Sequence, residues 1–218
     1  MTPSRSPWLV PSALIALAIV PAIAGAGRVA QLAAGADVTA ENTRFFAAPL
    51  PILLHIPASI LYAVLGAFQF SAEFRRRHRA WHRVVGRLLL VCAGAVAGTG
   101  LWMTLTYPWP AGDGWLVYAE RLVVGSAMLL SVVLGLVAIG RRAYVSHGEW
   151  MIRAYALGMG AGTQVLTHLP WFVLADTAPG EAARAVMMGL GWLVNAVVAE
   201  WIIRRPFRRA QPMLAAAP

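Results

Sequence analysis

Apolar stretches long enough to cross a lipid bilayer recur along the whole chain, and this feature limits most strongly what the chain can fold into. Six are visible, over residues 8–27, 48–71, 84–106, 115–140, 151–174 and 183–203. Each has about 20 residues or more, which at ~1.5 Å per helical residue covers the ~30 Å of bilayer hydrocarbon. Only 12% of the residues are charged, about half the fraction of a soluble domain. We therefore predict an all-α fold: a polytopic membrane protein with six transmembrane helices in one bundle.

The arginines fall on alternate sides of these stretches. They concentrate in residues 73–83, 141–142 and 204–209, whereas the other loops carry acidic residues and only a few arginines, namely Arg28, Arg44 and Arg184. Because basic loops stay in the cytoplasm, we expect both termini there and a multi-pass protein of the bacterial cytoplasmic (inner) membrane. The net charge of +9 then serves topology and contact with anionic lipid headgroups, and no nucleic acid partner is expected.

The chain is expected to form one domain, residues 1–210, followed by a disordered tail, residues 211–218. The N-terminal 26 residues look like a signal peptide, but the apolar run is long and is followed by a poor cleavage context. We interpret it as a retained first helix. The single Cys92 excludes an internal disulfide and a CxxC metal or redox motif. In an apolar run it is typical of a small packing residue.

Two histidines, His55 and His168, are predicted to lie at one depth on different helices. Each is about two turns from the end of its stretch that faces away from the arginine-rich side. Two apposed imidazoles in a helical bundle are what a b-type haem needs for axial ligation. The two residues are therefore candidate haem ligands, and the alternative is two separate interhelical hydrogen bonds.

The arginine-rich side holds the other histidines. His82 and His147 are weaker candidates for a second haem. With His78, Glu73 and Glu149 they could also hold a metal, although the surrounding arginines disfavour a dication. Glu200, near the inner end of the last stretch, is expected to pair with an arginine such as Arg83, Arg87 or Arg153, or alternatively to serve a proton relay. The charged residues assigned to this cytoplasmic interface are Arg75, Arg76, Arg77, Arg83, Arg87, Arg153 and Glu200.

Three motifs on the arginine-rich side carry a family resemblance. They are HRxxGR at residues 82–87, HxxWMIRxYAL at residues 147–157, and Asn195 followed by Glu200 and Trp201. Together with residues 55–70, they resemble a bacterial family of predicted membrane proteins known as domain of unknown function 2306. The resemblance covers the second to the sixth predicted helix and implies a helical membrane bundle. It brings no established activity.

Two classes of function remain open. The first is a membrane-embedded electron-transfer protein, with haem b held by His55 and His168 and a quinone-like carrier as redox partner. The second is a non-redox membrane protein, which would be a permease-like, assembly or lipid-interacting factor with an arginine-rich cytoplasmic face. Transport is the less favoured version, because neither a broken helix pair nor an inverted repeat is visible in the sequence.

Overall fold

The computed structural model describes residues 8–214, apart from the side chains of Ala72 and residues 206–214. Within that part of the chain the fold is helical and contains no strand, which confirms the predicted all-α class. The helices in chain order are α1 (Leu9–Ala33), α2 (Thr43–Ala47), α3 (Pro49–Gln69), α4 (Ala72–Arg77), α5 (Arg79–Thr106), α6 (Trp115–Gly140), α7 (Tyr144–Gly158), α8 (Gly160–Leu174) and α9 (Glu181–Leu214).

Five of the described helices are long and apolar enough to cross a membrane. They are α1, α3, α5, α6 and the Glu181–Arg205 part of α9. Large apolar side chains remain uncovered on their outward faces, such as Val91, which is 71% exposed, and Val123, which is 68% exposed. Water penalises a continuous surface of this kind, whereas lipid does not. The chain is therefore a membrane protein with several apolar helices.

The prediction of one continuous helix over residues 151–174 is wrong. The chain forms two helices of 15 residues there, α7 and α8, which are separated by Met159. A glycine flanks the break on each side, and glycine is a poor helix former. The side-chain amide of Asn195 on α9 also donates a hydrogen bond of 2.9 Å to the Ala156 carbonyl. This bond gives the carbonyl a partner in place of the backbone amide one turn ahead.

The helices form a closed ring in the order α1, α3, α5, α6, α7, α9, α8 and back to α1, with every neighbouring pair in contact. The two halves of the divided helix lie differently in this ring. α7 also contacts α3 and α5 across the ring, whereas α8 packs mainly on α9 and α1. α7 therefore fills the middle of one half of the bundle, and α8 leaves the middle of the other half open.

Glycines of neighbouring helices let α7 reach the middle of the bundle. A Cβ atom at Gly66 of α3 would overlap the ring of Tyr155, whose hydroxyl donates a hydrogen bond of 2.7 Å to the Ala63 carbonyl. Gly135 of α6 lies against Met151 in the same way. These glycines are helix-packing positions, since small residues allow the close approach that membrane helices use.

Other parts of the chain compare with the prediction as follows. The arginine-rich segment, residues 73–83, is itself helical and belongs to α4 and the start of α5. Cys92 is a buried free thiol, as expected of a packing residue. Of the predicted tail, residues 211–214 lie in the end of α9, and residues 215–218 lie outside the described residues, as do residues 1–7.

Candidate functional site

A cavity of about 480 Å³ lies inside the bundle, in the half that α8 leaves open. Residues 108–110, which connect α5 to α6, line one end of it, so the cavity reaches the end of the bundle. We call this the Asp113 end, and the opposite end, which holds α4, the α4 end. Tyr107 and Val96 both line the cavity, and α5 rises ~16 Å between them. Met159 also lines it, so the cavity runs from the Asp113 end to the helix break.

Most of the cavity wall is apolar, and a few polar side chains interrupt it, among them His55, Ser59 and Gln164. The Ser59 hydroxyl oxygen is buried and has no hydrogen-bond partner among the described residues. The side-chain amide of Gln164 donates to the Met188 carbonyl at 3.2 Å, which holds α8 against α9. A cavity of this volume with a few polar groups in an apolar wall is typical of a small-molecule binding site.

His55 is held against the cavity wall by α5. Its Nδ1 lies 2.9 Å from Oγ1 of Thr99, and the Thr99 hydroxyl itself donates a bond of 2.5 Å to the Ala95 carbonyl. Because the backbone takes the hydroxyl proton, Nδ1 of His55 must be the donor to Thr99. In the neutral ring this leaves Nε2 as an acceptor, which a ligand with a donor group could use.

The mouth of the cavity, meaning its opening at the Asp113 end, is built around the carboxylate of Asp113. This side chain is 2% exposed, and its two oxygens lie 2.5 Å from Nη1 of Arg121 and 2.5 Å from Nε of Arg184. Arg121 belongs to α6 and Arg184 to α9. The Arg184 contact is a charge-assisted hydrogen bond, which is strong at a buried carboxylate, and the Arg121 contact is an ion pair. The carboxylate therefore ties both helices to the connection that forms the rim of the cavity.

Arg44 of α2 also lines the mouth, and it has no such partner. Its guanidinium carbon lies 4.7 Å from the ring centroid of Phe45. Within residues 8–205, whose side chains the structure describes apart from Ala72, the guanidinium has neither an ion pair nor a hydrogen bond. Burial, together with the charge of Arg121, lowers the pKa of Arg44, and Asp113 opposes this only in part. Since a guanidinium stays protonated in proteins, the mouth keeps an uncompensated positive charge.

The structure does not bring His168 to the cavity that His55 lines. Nδ1 of His168 is 2.7 Å from the Gln164 carbonyl of its own helix, and its ring stacks on Phe172. His168 is not among the residues around the cavity, and α8 packs mainly on α9 and α1 rather than on α3. A shared haem iron would need both rings as axial ligands. Their common ligation stays a prediction.

His82 and His147 lie near each other at the α4 end, where both are involved in local packing. Nδ1 of His147 is 2.9 Å from the Gly135 carbonyl of α6. Nδ1 of His82 is buried without a hydrogen-bond partner among the described residues, and its charge would interact with those of His147 and Arg75. No group of three or more metal-binding side chains occurs within the described part of the chain. The second haem likewise stays a prediction.

Glu200 pairs with Arg153, one of the partners expected from the sequence. Nε of Arg153 lies 2.6 Å from one carboxylate oxygen and Nη2 lies 3.3 Å from the other, so the contact is bidentate. The guanidinium also lies over the Trp150 ring, 4.5 Å from its centroid. This pair joins α7 to α9. The other arginines assigned to this end are exposed: Arg75, Arg76, Arg77, Arg83 and Arg87.

The sequence pattern does not identify the mouth of the cavity as a site. Arg44 and Arg184 are visible only as exceptions to the arginine bias, and Asp113 only as part of an acidic loop. Those exceptions were nonetheless the available signal. Topology does not explain an arginine on the side that carries few basic residues. Here Arg184 pairs with a carboxylate and Arg44 lines the cavity.

Comparison with known proteins bears on the whole bundle. The sequence profile of the family described as "Predicted membrane protein (DUF2306)" matches residues 52–203, which includes most of the cavity wall and excludes α1 and Arg44. No match was found among curated proteins or among solved structures. The chain therefore belongs to the DUF2306 family of predicted membrane proteins.

Proposed function

We propose that this chain is a permease-like, multi-pass protein of the bacterial cytoplasmic membrane that binds a small, largely apolar molecule in its bundle cavity. The observation that carries the proposal is the cavity of about 480 Å³ that opens at the Asp113 end and ends at the break between α7 and α8. Binding sites of ~300–1,000 Å³ with a few polar groups in an apolar wall suit ligands of this kind.

The proposal counts α7 and α8 together as a sixth membrane span. Each half has 15 residues and rises ~22 Å, so the pair can cross the bilayer although neither half can alone. Divided helices within a membrane are tolerated where they line a cavity, and transporters place their substrate sites beside them. The arginine-rich α4 end supports a cytoplasmic location for that end and for both termini.

A pair of glycine variants on α5 tests whether the cavity binds ligands. Gly100 lines the cavity and lies against His55, whereas Gly98, on the same helix, does not line the cavity and has open space around it. Gly100→Leu would fill the cavity, and Gly98→Leu would add the same side chain elsewhere. The ligand used is the neutral fluorophore 1-aminoanthracene, titrated into detergent-purified protein.

We expect saturable binding to the wild type and to Gly98→Leu, with at least tenfold weaker binding to Gly100→Leu. Tryptophan fluorescence is a second readout, because Trp192 lines the cavity. Thermal labelling of the buried Cys92 checks that both variants are folded. Equal binding by two folded variants, or no saturable binding by the wild type, would refute the proposal.

The exposed arginines of the α4 end support a further partner, the anionic lipid headgroups of the cytoplasmic leaflet. Five of the assigned arginines are exposed, and each basic residue near an anionic surface adds ~1 kcal/mol of attraction. Salt would weaken the binding of anionic lipid to these arginines, because it screens electrostatic attraction. Charge-neutral substitutions of Arg75, Arg76 and Arg77 should reduce the co-purified anionic lipid measured by mass spectrometry.

Electron transfer through haem b, with a quinone-like partner, is the competing proposal. Its support is the pair of histidines predicted at one depth. Of the two, His55 is the one found among the described lining residues of the cavity. Protein purified from haem-replete cells would then show a reduced-minus-oxidised Soret band and an alpha band. His55→Ala would remove both bands, and colourless wild-type protein would exclude the proposal.

A further inference from the structure

We propose that the ligand of the bundle cavity is an amphiphile whose anionic head, a carboxylate or a phosphate, is bound at the mouth by Arg44 and Arg121. Its apolar body would lie below, along α5 and α6 towards the helix break. This inference rests on the proposed function, since it names the chemical class of the ligand for the same cavity.

The balance of charge at the mouth is the first argument. Arg121 and Arg184 share the single carboxylate of Asp113, at 2.5 Å each. Among the described lining residues the cations are Arg44 and Arg121 and the acid is Asp113, so two cations face one anion, and Arg184 binds one oxygen of that carboxylate from outside the cavity lining. Glu120 and Glu181 do not line the cavity, although the Glu181 carboxylate lies against the lining residue Gly114, and neither acid is paired with Arg44 among the described residues. The mouth therefore lacks negative charge that a bound anion would supply.

The donors of Arg44 are the second argument. Its guanidinium is half-buried at the cavity wall and has no hydrogen-bonded acceptor within residues 8–214. Stacking on Phe45, 4.7 Å from the ring centroid, orients the planar group. Such a fork matches the two oxygens of a carboxylate or phosphate. An unpaired cation in a partly dehydrated place is costly, so an anionic ligand would relieve a cost already present in the free protein.

The shape below the mouth is the third argument. Met103 and Val96 of α5, and Met128 of α6, line the cavity at successive depths, over the ~16 Å that α5 rises between Tyr107 and Val96. Their side chains offer no hydrogen bonds to a polar ligand. A free inorganic anion would leave this apolar space unfilled, whereas the tail of an amphiphile would fill it.

Displacement of 1-aminoanthracene tests the proposal with ligands that separate head from tail. Decanoate and decyl phosphate carry both parts, decanol has the tail without charge, and decyltrimethylammonium reverses the charge. Acetate and inorganic phosphate provide the head alone. We expect decanoate and decyl phosphate to displace the fluorophore at concentrations at least tenfold lower than decanol, and the cation to be weaker still.

Arg28 provides a matched control for Arg44. Both guanidinium groups lie over the Phe45 ring, at 4.8 Å and 4.7 Å from its centroid, but only Arg44 lines the cavity. Arg44→Gln should weaken decanoate binding about tenfold or more and leave decanol unchanged, Arg44→Lys should restore part of the loss, and Arg28→Gln should behave as the wild type. Arg44 has no ion pair with any described residue, so this variant is expected to fold.

The outcomes separate this inference from the proposed function. Equal affinity for decanol and decanoate, or an equal loss of both in Arg44→Gln, would overturn the anionic head while cavity binding stands. Displacement by acetate or phosphate as strong as that by decanoate would overturn the amphiphile and assign the mouth to free anions. Absence of any fluorophore binding to the wild type would overturn the proposed function and this inference together.

Discussion

Replacing Asp113 by asparagine should destabilise the protein by an amount that follows from the burial of its ion pairs. The carboxylate is 2% exposed and forms ion pairs with Arg121 of α6 and Arg184 of α9. Asparagine keeps the shape of the side chain, but it removes the charge that both guanidinium groups use. The two arginines are then left close together without their common anion.

The size of the effect lies between two limits. Removal of one partner from a fully buried ion pair costs ~3–5 kcal/mol, whereas a solvent-exposed pair contributes ~0–1 kcal/mol. The carboxylate is buried, but both arginine side chains are 29% exposed and can turn partly towards water. We therefore expect a loss of ~2 kcal/mol, which for a chain of this size lowers Tm by about 4–8 °C.

The single cysteine makes the measurement direct. Cys92 is the only thiol in the chain, and it is 5% exposed in the core of the bundle. A thiol-reactive fluorophore will therefore label it only when the bundle opens, and a temperature ramp in detergent gives Tm. Asp176→Asn serves as the control, because Asp176 is exposed at the same end and has no ion pair among the described residues.

Two results would refute the reasoning. If Asp113→Asn melted within about 1 °C of the wild type, the paired arginines would contribute nothing measurable to the bundle. If the Tm of the Asp176→Asn control fell as far as that of Asp113→Asn, the loss of stability would reflect the removal of any negative charge at the Asp113 end and not the two specific ion pairs.

Two further substitutions probe the packing of α7, with the same labelling assay as readout. Gly66→Ala should lower the free energy of unfolding by ~1–3 kcal/mol through overpacking, because the new Cβ meets the Tyr155 ring. Gly94→Ala, whose new Cβ would have nothing within 4 Å, should be neutral or stabilising by up to ~1 kcal/mol. Equal effects of the two variants would refute this account. Arg153→Gln should lower the free energy of unfolding by ~1 kcal/mol, since the side chains of Arg153 and Glu200 are 26% and 35% exposed. Arg153→Lys should lose less stability because it keeps the charge. A loss in Arg153→Gln larger than that in Asp113→Asn would contradict the ranking by burial.

The long helices could be predicted from the sequence because each is decided by local information. The predicted stretch over residues 115–140 has the same limits as α6, and the predicted end of the third stretch, residue 106, is the end of α5. Proline, glycine and charged residues bound these segments, and the apolar length between them fits a bilayer. Length and composition alone therefore fix the class of the protein.

The break in the fifth span was not predictable in this way. In the sequence, the glycines at the break cannot be distinguished from Gly94 or Gly98, which lie within the unbroken α5. What differs is a contact from another part of the chain, since Asn195 of α9 binds the Ala156 carbonyl next to the break. A hydropathy window reads one segment at a time, so a break stabilised by a distant side chain remains invisible to it.

The histidine pair shows a related limit. Counting turns from helix ends predicts depth, but it does not predict towards which neighbour a helix face points. His55 and His168 were predicted at one depth, yet α8 packs mainly on α9 and α1 while His55 bonds to Thr99 of α5. Because the helix breaks at Met159, α8 does not have to continue in the direction of α7. The direction of α8 could therefore not be predicted without first predicting the break.

Two arginines show how pairing separates structural charges from candidate ligand-binding charges in this bundle. Arg153 is partly buried, but Glu200 and the Trp150 ring account for its guanidinium. Arg44 is also partly buried and lines a cavity, and among the described residues its guanidinium has a cation–π contact with Phe45 but neither an ion pair nor a hydrogen bond. Keeping a charged side chain of a membrane protein away from water is energetically unfavourable, so such a side chain is retained where it serves a function. Contacts within the protein account for Arg153, whereas Arg44 is the arginine that the proposed anionic ligand would pair with. Arg44 is therefore the residue at which a search for the natural ligand should begin.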